Sequence, residues 1–159
     1  MKILFVSSEC APFSKSGGLA DVVGALAPVL AKKGHDVRVV LPLYTAIDSK
    51  WQQQMEFQLH FEVKLGWRRQ YCGVNMLKKD GVTYYFLDNK YYFGRPYIYG
   101  LGGDEYERYG FFCRAVLNAL PTSFNLPPED IDRLREAGGR LLRASPDYQR
   151  LLRDLPTLR

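Results

Sequence analysis

The chain has 159 residues and 18.3 kDa, enough for one domain with a single core and too short for a large multidomain enzyme. Apolar residues make up 47% and aromatic residues 14%, which excludes disorder and a coiled coil. The net charge of +5 comes from 22 basic and 17 acidic residues, scattered with no run longer than pairs such as Lys32-Lys33, Arg68-Arg69 and Lys78-Lys79, so no nucleic-acid-binding stripe is expected.

In chain order, the apolar run from Lys2 to Ser7 reads as a parallel strand covered on both faces. From Leu19, apolar residues recur at Val22, Val23, Leu26 and Leu30, the spacing of one buried helical face. Lys32 and Lys33 suit the helix C-terminus and Gly34 closes it, while Pro28 inside the pattern predicts a kink. Val37 to Leu41 gives a second strand, and strand, helix and strand together make a βαβ unit. Phe57, Leu59, Phe61, Val63 and Leu65 alternate with polar residues, predicting a strand with one wet face that carries His60. Strands near Tyr71 to Leu77 and from Val82 to Leu87, joined by the Asp80-Gly81 turn, complete a run of hairpins. After a loop from Tyr91 to Gly103, Asp104 and Glu105 open a helix reaching about Leu120, with Phe112, Val116 and Leu120 in its stripe.

The composition then changes. Residues 1–122 hold 9 Lys and 6 Arg, whereas 123–159 hold 7 Arg and no Lys, and 10 of the 11 tyrosines lie in the earlier part. Leu126-Pro127-Pro128 starts an Arg-rich amphipathic helix (Ile131, Leu134, Leu141, Leu142) interrupted at Gly138-Gly139, and Ser145-Pro146-Asp147 caps a short one. The expected division is therefore 1–120 and a helical tail, 121–159. Cys10, Cys72 and Cys113 form no CxxC pair and are odd in number, which points to buried thiols in a reducing compartment, the cytoplasm. No stretch approaches the ~20 apolar residues of a membrane helix, and no signal peptide is expected.

Chemistry concentrates between the first strand and the first helix, from Ser7 to Asp21. Gly17 and Gly18 would let a phosphate approach backbone N–H groups at a helix start, where the dipole favours an anion, and Lys15 would add charge. A glycine pair by itself more often marks a turn, and the segment matches neither GxGxxG nor GxxxxGK[ST]. Asp21 suits either the helix dipole or a site, and Glu9 is expected to hold the loop. His35 reads as a surface or capping residue. Tyr97 and Tyr99 suit stacking on a ligand ring or ordinary packing alike. No metal or cofactor is expected.

Lys15-Ser16-Gly17-Gly18-Leu19 resembles the Lys-x-Gly-Gly-Leu signature at the N-terminus of bacterial glycogen synthases and plant starch synthases. The resemblance continues through Ala20 to Leu26, Gly34 to Arg38, Leu41 to Tyr44, Tyr92 to Tyr99 and Arg108 to Ala115, covering about residues 1–120. It implies an incomplete Rossmann-like α/β domain of a two-domain, GT-B type glycosyltransferase, with a β-hairpin insertion and a helical C-terminal tail. That family moves glucose from ADP-glucose to an α-1,4-glucan. By the resemblance, Lys15, Gly17 and Gly18 bind the sugar-nucleotide phosphates, Asp21 lies near sugar and acceptor as the candidate catalytic residue, and Tyr99 lines the cleft. An Asp-Trp-His stretch and the family's second domain have no counterpart here, and the tail resembles, less specifically, the C-terminal end of patatin-like lipases. The resemblance thus implies a truncated or fused reading frame, inactive alone. The alternative is a non-catalytic module that binds glucan or nucleotide, or contacts a partner.

Overall fold

A computed structural model describes residues 1–100 and 103–123. The chain divides into two compact units, Met1–Ala119 and Leu120–Arg159; the helices expected from Leu126 and at Ser145 lie outside the described residues. Along the chain run β1 (Lys2–Val6), α1 (Gly18–Lys32), β2 (Asp36–Pro42), α2 (Ser49–Gln52), β3 (Glu56–Leu65), β4 (Arg68–Lys79), β5 (Val82–Asp88), α3 (Lys90–Phe93) and α4 (Glu105–Ser123). The strands form one sheet in the order β1-β2-β5-β4-β3. β1, β2 and β5 are mutually parallel, while β3 and β4 run antiparallel. The expected hairpin insertion is thus continuous with the Rossmann-like strands, because β5 turns back from the hairpins to pair with β2.

Local sequence explains most boundaries. Gly34 leaves α1 at φ +84°, and Asp80 and Gly81 both take positive φ in the β4–β5 turn, the geometry of a two-residue hairpin whose twist matches its strands. Two short helices, α2 and α3, lack a hydrophobic period that would announce them in the sequence, although both carry caps. Asp48 accepts a hydrogen bond from the Lys50 N–H at the start of α2, and Asn89 accepts one from the Tyr92 N–H at the start of α3.

Three expectations are corrected. β1 is covered on neither face to completion: it ends the sheet, pairs only with β2 among the described residues, and none of its residues is fully buried. The buried face of α1 is Ala20, Val23 and Ala27, whereas Leu19, Val22, Leu26 and Val29 face outward, Val22 at 60% exposure. Close approach decides this face, since the backbone of Ala11 lies against Gly24, where an added Cβ would sit 2.5 Å from the Ala11 carbonyl oxygen. Finally, the alternation of β3 breaks at an irregularity between Phe57 and Leu59, which sets Phe57 opposite Asn75 and Leu59 opposite Val74. One extra residue moves a side chain to the other face, so Phe57 stands outward at 57% exposure.

The core holds two aromatic clusters. Phe13 meets Trp51, Tyr84 and Phe86 edge-on with centroids 4.7–5.4 Å apart. Tyr92, Phe93, Phe111 and Phe112 pack α3 against α4. α1 continues through Pro28 to Lys32.

Two glycines test this packing. Gly24→Ala forces a methyl group onto backbone and should destabilise the chain by about 1–3 kcal/mol. Gly110→Ala, within α4 where a Cβ meets nothing within 4 Å, should stabilise it by about 0.5–1 kcal/mol. Urea unfolding of both variants checks the contrast, and equal effects would remove the close contact from the account.

Candidate functional site

The segment between β1 and α1 is held from within. The Ser7 N–H donates to the Val40 carbonyl, Cys10 and Ser14 bridge through the backbone, and the Ala11 N–H reaches the Ala20 carbonyl at 3.0 Å. Glu9 is buried, and its carboxylate accepts the Ser16 N–H at 2.5 Å. Glu9 therefore holds the loop, as its place behind the strand suggested. This fixes the chain just ahead of Gly17, the N-cap of α1.

Gly17 has φ −159° and makes no side-chain cap, and an added Cβ at Gly17 or Gly18 meets nothing within 4 Å. Neither backbone strain nor crowding within the chain requires glycine here, so a plain turn does not explain the pair. Its physical effect is to leave open space before the uncapped N–H groups of a 15-residue helix, where backbone dipoles favour an anion. Lys15 lies beside this opening, with its ammonium 2.8 Å from the Asp21 carboxylate and both side chains more than half exposed. The structure pairs the loop residue Lys15 with Asp21 in the first turn of α1. An exposed pair of this kind contributes little to stability, at most about 1 kcal/mol, and it exchanges readily when a stronger anion competes.

Tyr99 reaches the loop from the other side. Its hydroxyl lies 2.6 Å from Ser8 Oγ, a contact across 91 residues that no sequence pattern announces. The segment leading to Tyr99 is held by Arg108, which has no solvent exposure. The Arg108 guanidinium donates to the Tyr92, Ile98 and Tyr97 carbonyls at 2.7, 2.7 and 3.2 Å and pairs with Glu105 at 3.0 Å. The Tyr109 hydroxyl also donates to Ile98 O, and Arg95 pairs with Asp104. That last pair holds the Asp104 carboxyl below the usual carboxylate range, chiefly through its hydrogen bond with Arg95. In the sequence Arg108 stands between Tyr106 and Tyr109, and an arginine set among aromatic residues is the local sign of a buried cation.

The other singled-out residues stand apart. His35 approaches the N-terminal amine at 3.5 Å, and His60 lies on β3, where its ring neighbours Phe57 and Tyr71. Among the described residues no group of three metal-ligating side chains occurs, and no helix is long and apolar enough to cross a membrane. Cys10 and Cys72 are buried, but Cys113 is exposed, which corrects the expectation of three buried thiols.

Known proteins share this sequence and fold. Residues 2–131 match the family described as starch synthase catalytic domain. A glycogen synthase from Geobacillus thermodenitrificans (strain NG80-2) is 57% identical over 121 residues, 76% of this chain and 25% of the relative. One from Streptococcus pneumoniae (strain Hungary19A-6) is 54% identical over 120 residues, with the same coverage. Among solved structures, the catalytic domain of starch synthase IV from Arabidopsis thaliana, bound to ADP and acarbose, superposes with a TM-score of 0.67 at 26% identity, again over 76% of this chain and 25% of that one. The chain spans about a quarter of the length of the relatives it matches.

Cys10 offers a reporter of loop integrity, because burial pushes its thiol and that of Cys72 up to about 12. At pH 8 a maleimide should modify Cys113 rapidly and the other two only through opening. Glu9→Gln loses the charged acceptor of the Ser16 N–H, about 1.5 kcal/mol, so Cys10 labelling followed by mass spectrometry should quicken roughly tenfold while Cys72 stays protected. Equal labelling of all three thiols in the unmodified chain would show that the loop is not closed.

Proposed function

The chain belongs to the starch synthase catalytic domain family, and from that premise we propose that it carries the donor-phosphate side of an ADP-glucose-dependent α-1,4-glucan glucosyltransferase. The observation that carries the proposal is the helix start at Gly17 and Gly18, open and uncapped with Lys15 beside it. Lys15 and the N–H groups following Gly17 receive the diphosphate of the sugar nucleotide. As the glycosidic bond to phosphate breaks, charge accumulates on the departing ADP, and preorganised donors with a cation lower the barrier there. Asp21 gives up Lys15 to the phosphate and turns towards sugar and acceptor. Tyr99, braced through Ile98 by Arg108, lines the cleft beside Ser8. The Arabidopsis relative, bound to ADP and acarbose, supports a nucleotide and an α-glucan as the ligands.

The proposal includes no metal or cofactor, a cytoplasmic location in keeping with the free cysteines, and a division into 1–120 and an Arg-rich tail, 121–159. The family match reaches residue 131, so the first residues of that tail lie within it. A retaining transfer needs groups on both walls of a cleft, and the described residues supply one of them.

Two measurements test this. Titration with ADP, followed by amide chemical shifts, should move Ser16 to Ala20 with a dissociation constant of about 1 mM, near 4 kcal/mol. Lys15→Ala should weaken binding about threefold to tenfold, and Asp21→Asn should strengthen it about twofold to threefold by freeing Lys15. No shift in this loop at millimolar ADP would overturn the phosphate assignment. Separately, incubation of the chain with ADP-glucose and glycogen should release no ADP above background, and sustained turnover would refute the single-wall reading.

A further inference from the structure

The sheet ends on β3, which pairs only with β4 among the described residues. β3 has 10 residues against 5 in β1 at the opposite edge, and none of them is proline, so a long row of backbone groups stands open to another strand. The two hairpins settle which groups face outward. Leu65 and Arg68 close the Gly66-Trp67 loop, and Lys79 and Val82 close the Asp80-Gly81 loop. A pair that closes a two-residue loop exchanges both its backbone hydrogen bonds, and such pairs alternate along an antiparallel ladder. Both hairpins give β4 the same parity, with Arg68, Gln70, Cys72 and Val74 turned to β3. On β3, Leu59, Phe61, Val63 and Leu65 therefore direct their backbone groups to β4, while His60, Glu62 and Lys64 present theirs at the free edge. The irregularity between Phe57 and Leu59 ends this regular stretch.

Charge on this edge is placed unevenly. Lys64 lies directly opposite Arg69 in the β3–β4 register, and like charges in that position repel. Glu62 answers Arg69 at 3.5 Å, with both side chains about two-thirds exposed. Among the described residues no carboxylate pairs with Lys64. A second copy of the chain supplies one, because antiparallel pairing must set outward residues opposite outward residues. With the two-fold axis at Val63, Glu62 of each copy faces Lys64 of the other, and Phe61 faces Leu65, both of them half-buried in one copy. The same register carries Trp67, 86% exposed at the loop, alongside Leu59 of the second copy. Placing the axis at Glu62 would set two carboxylates face to face. Placing it at Phe61 would leave Lys64 against Gln58, inside the irregular stretch.

We propose that β3 is a self-association edge, through which two copies of this chain pair antiparallel about Val63, Glu62 of each against Lys64 of the other. The five strands of one copy then continue into the five of the second. Edge charges commonly prevent such pairing, but here they alternate in sign along the outward positions and match in this register. The contact is narrow, about four backbone hydrogen bonds and two ion pairs, so the dimer is weak and reversible. It does not rest on the phosphate assignment, since β3 lies at the far edge of the sheet from β1.

Sedimentation equilibrium of the full 159-residue chain tests this. At low salt it should show a monomer–dimer equilibrium with a dissociation constant of about 0.1 mM. Glu62→Lys and Lys64→Glu, both at exposed positions, should each weaken it at least about fivefold, and the double variant should return it to within about twofold of the parent. Amide hydrogen exchange gives an independent reading. As protein concentration rises, the Glu62 and Lys64 amides should slow, while those of Phe61 and Val63, already bonded to β4, stay protected throughout. If a single variant fails to fold, this alternation in the parent chain decides. The proposal is overturned if the chain is monomeric up to about 0.5 mM, if the folded single variants associate as the parent does, or if the double variant does not recover. It is equally overturned if the amides that slow with concentration lie on β1 and not on β3.

Discussion

A guanidinium group without access to solvent organises the end of this domain where the β1–α1 loop lies. Burying a charge is costly unless its donors are satisfied, and Arg108 meets that condition with three backbone carbonyls and Glu105. The rings of Tyr44, Phe93, Tyr97 and Tyr109 surround it at 5.5–5.9 Å, so the desolvated cation also meets aromatic faces. Since those carbonyls belong to α3 and the segment after it, one side chain of α4 determines where residues 92–98 run. The Tyr99–Ser8 contact follows from that placement, and with it the approach of the chain to the β1–α1 loop. A lysine would not serve, because a point charge cannot present the same planar set of donors.

The opposite wall of the loop depends on smallness. Gly24 admits the Ala11 backbone, and Ala20 and Ala27 keep α1 close to the sheet. Glu9, buried beneath, takes up the Ser16 N–H, so the loop is rigid up to the residue before the helix cap. The helix start beyond it is open and uncapped. A fixed frame around an unsatisfied set of donors is what a binding site for an anion needs, because the ordering cost is met during folding and not on association.

The amount legible in the sequence differed by level. The βαβ unit, the hairpins, the Asp80-Gly81 turn and the α1 terminus were all readable, since each rests on local spacing or on a residue with a preferred conformation. Gly17, Gly18 and Lys15 were recognisable as a motif for the same reason. The Lys15–Asp21 pair is local too, but its geometry required the orientation of the helix start. By contrast, the buried face of α1 was misread: hydrophobic size pointed to Leu19, Val22 and Leu26, while close approach by the Ala11 backbone selected the small residues. The alternation of β3 was misread at Phe57, because a bulge is a property of two paired strands and leaves no signature in one.

What the sequence by itself determined are the features governed by neighbours along the chain: the kinds of element, most of their limits, the glycine-rich loop and the family to which it points. The tertiary structure alone decided which face of each element is covered, that β1 ends the sheet among the described residues, and that Ser8 and Tyr99, 91 residues apart, meet at one site. It also decided that Arg108 is buried and that Phe57, His60 and Tyr71 lie in one row. The physical reason is that periodicity and capping report local backbone preferences, whereas burial, register and the pairing of distant polar groups depend on which surfaces come into contact.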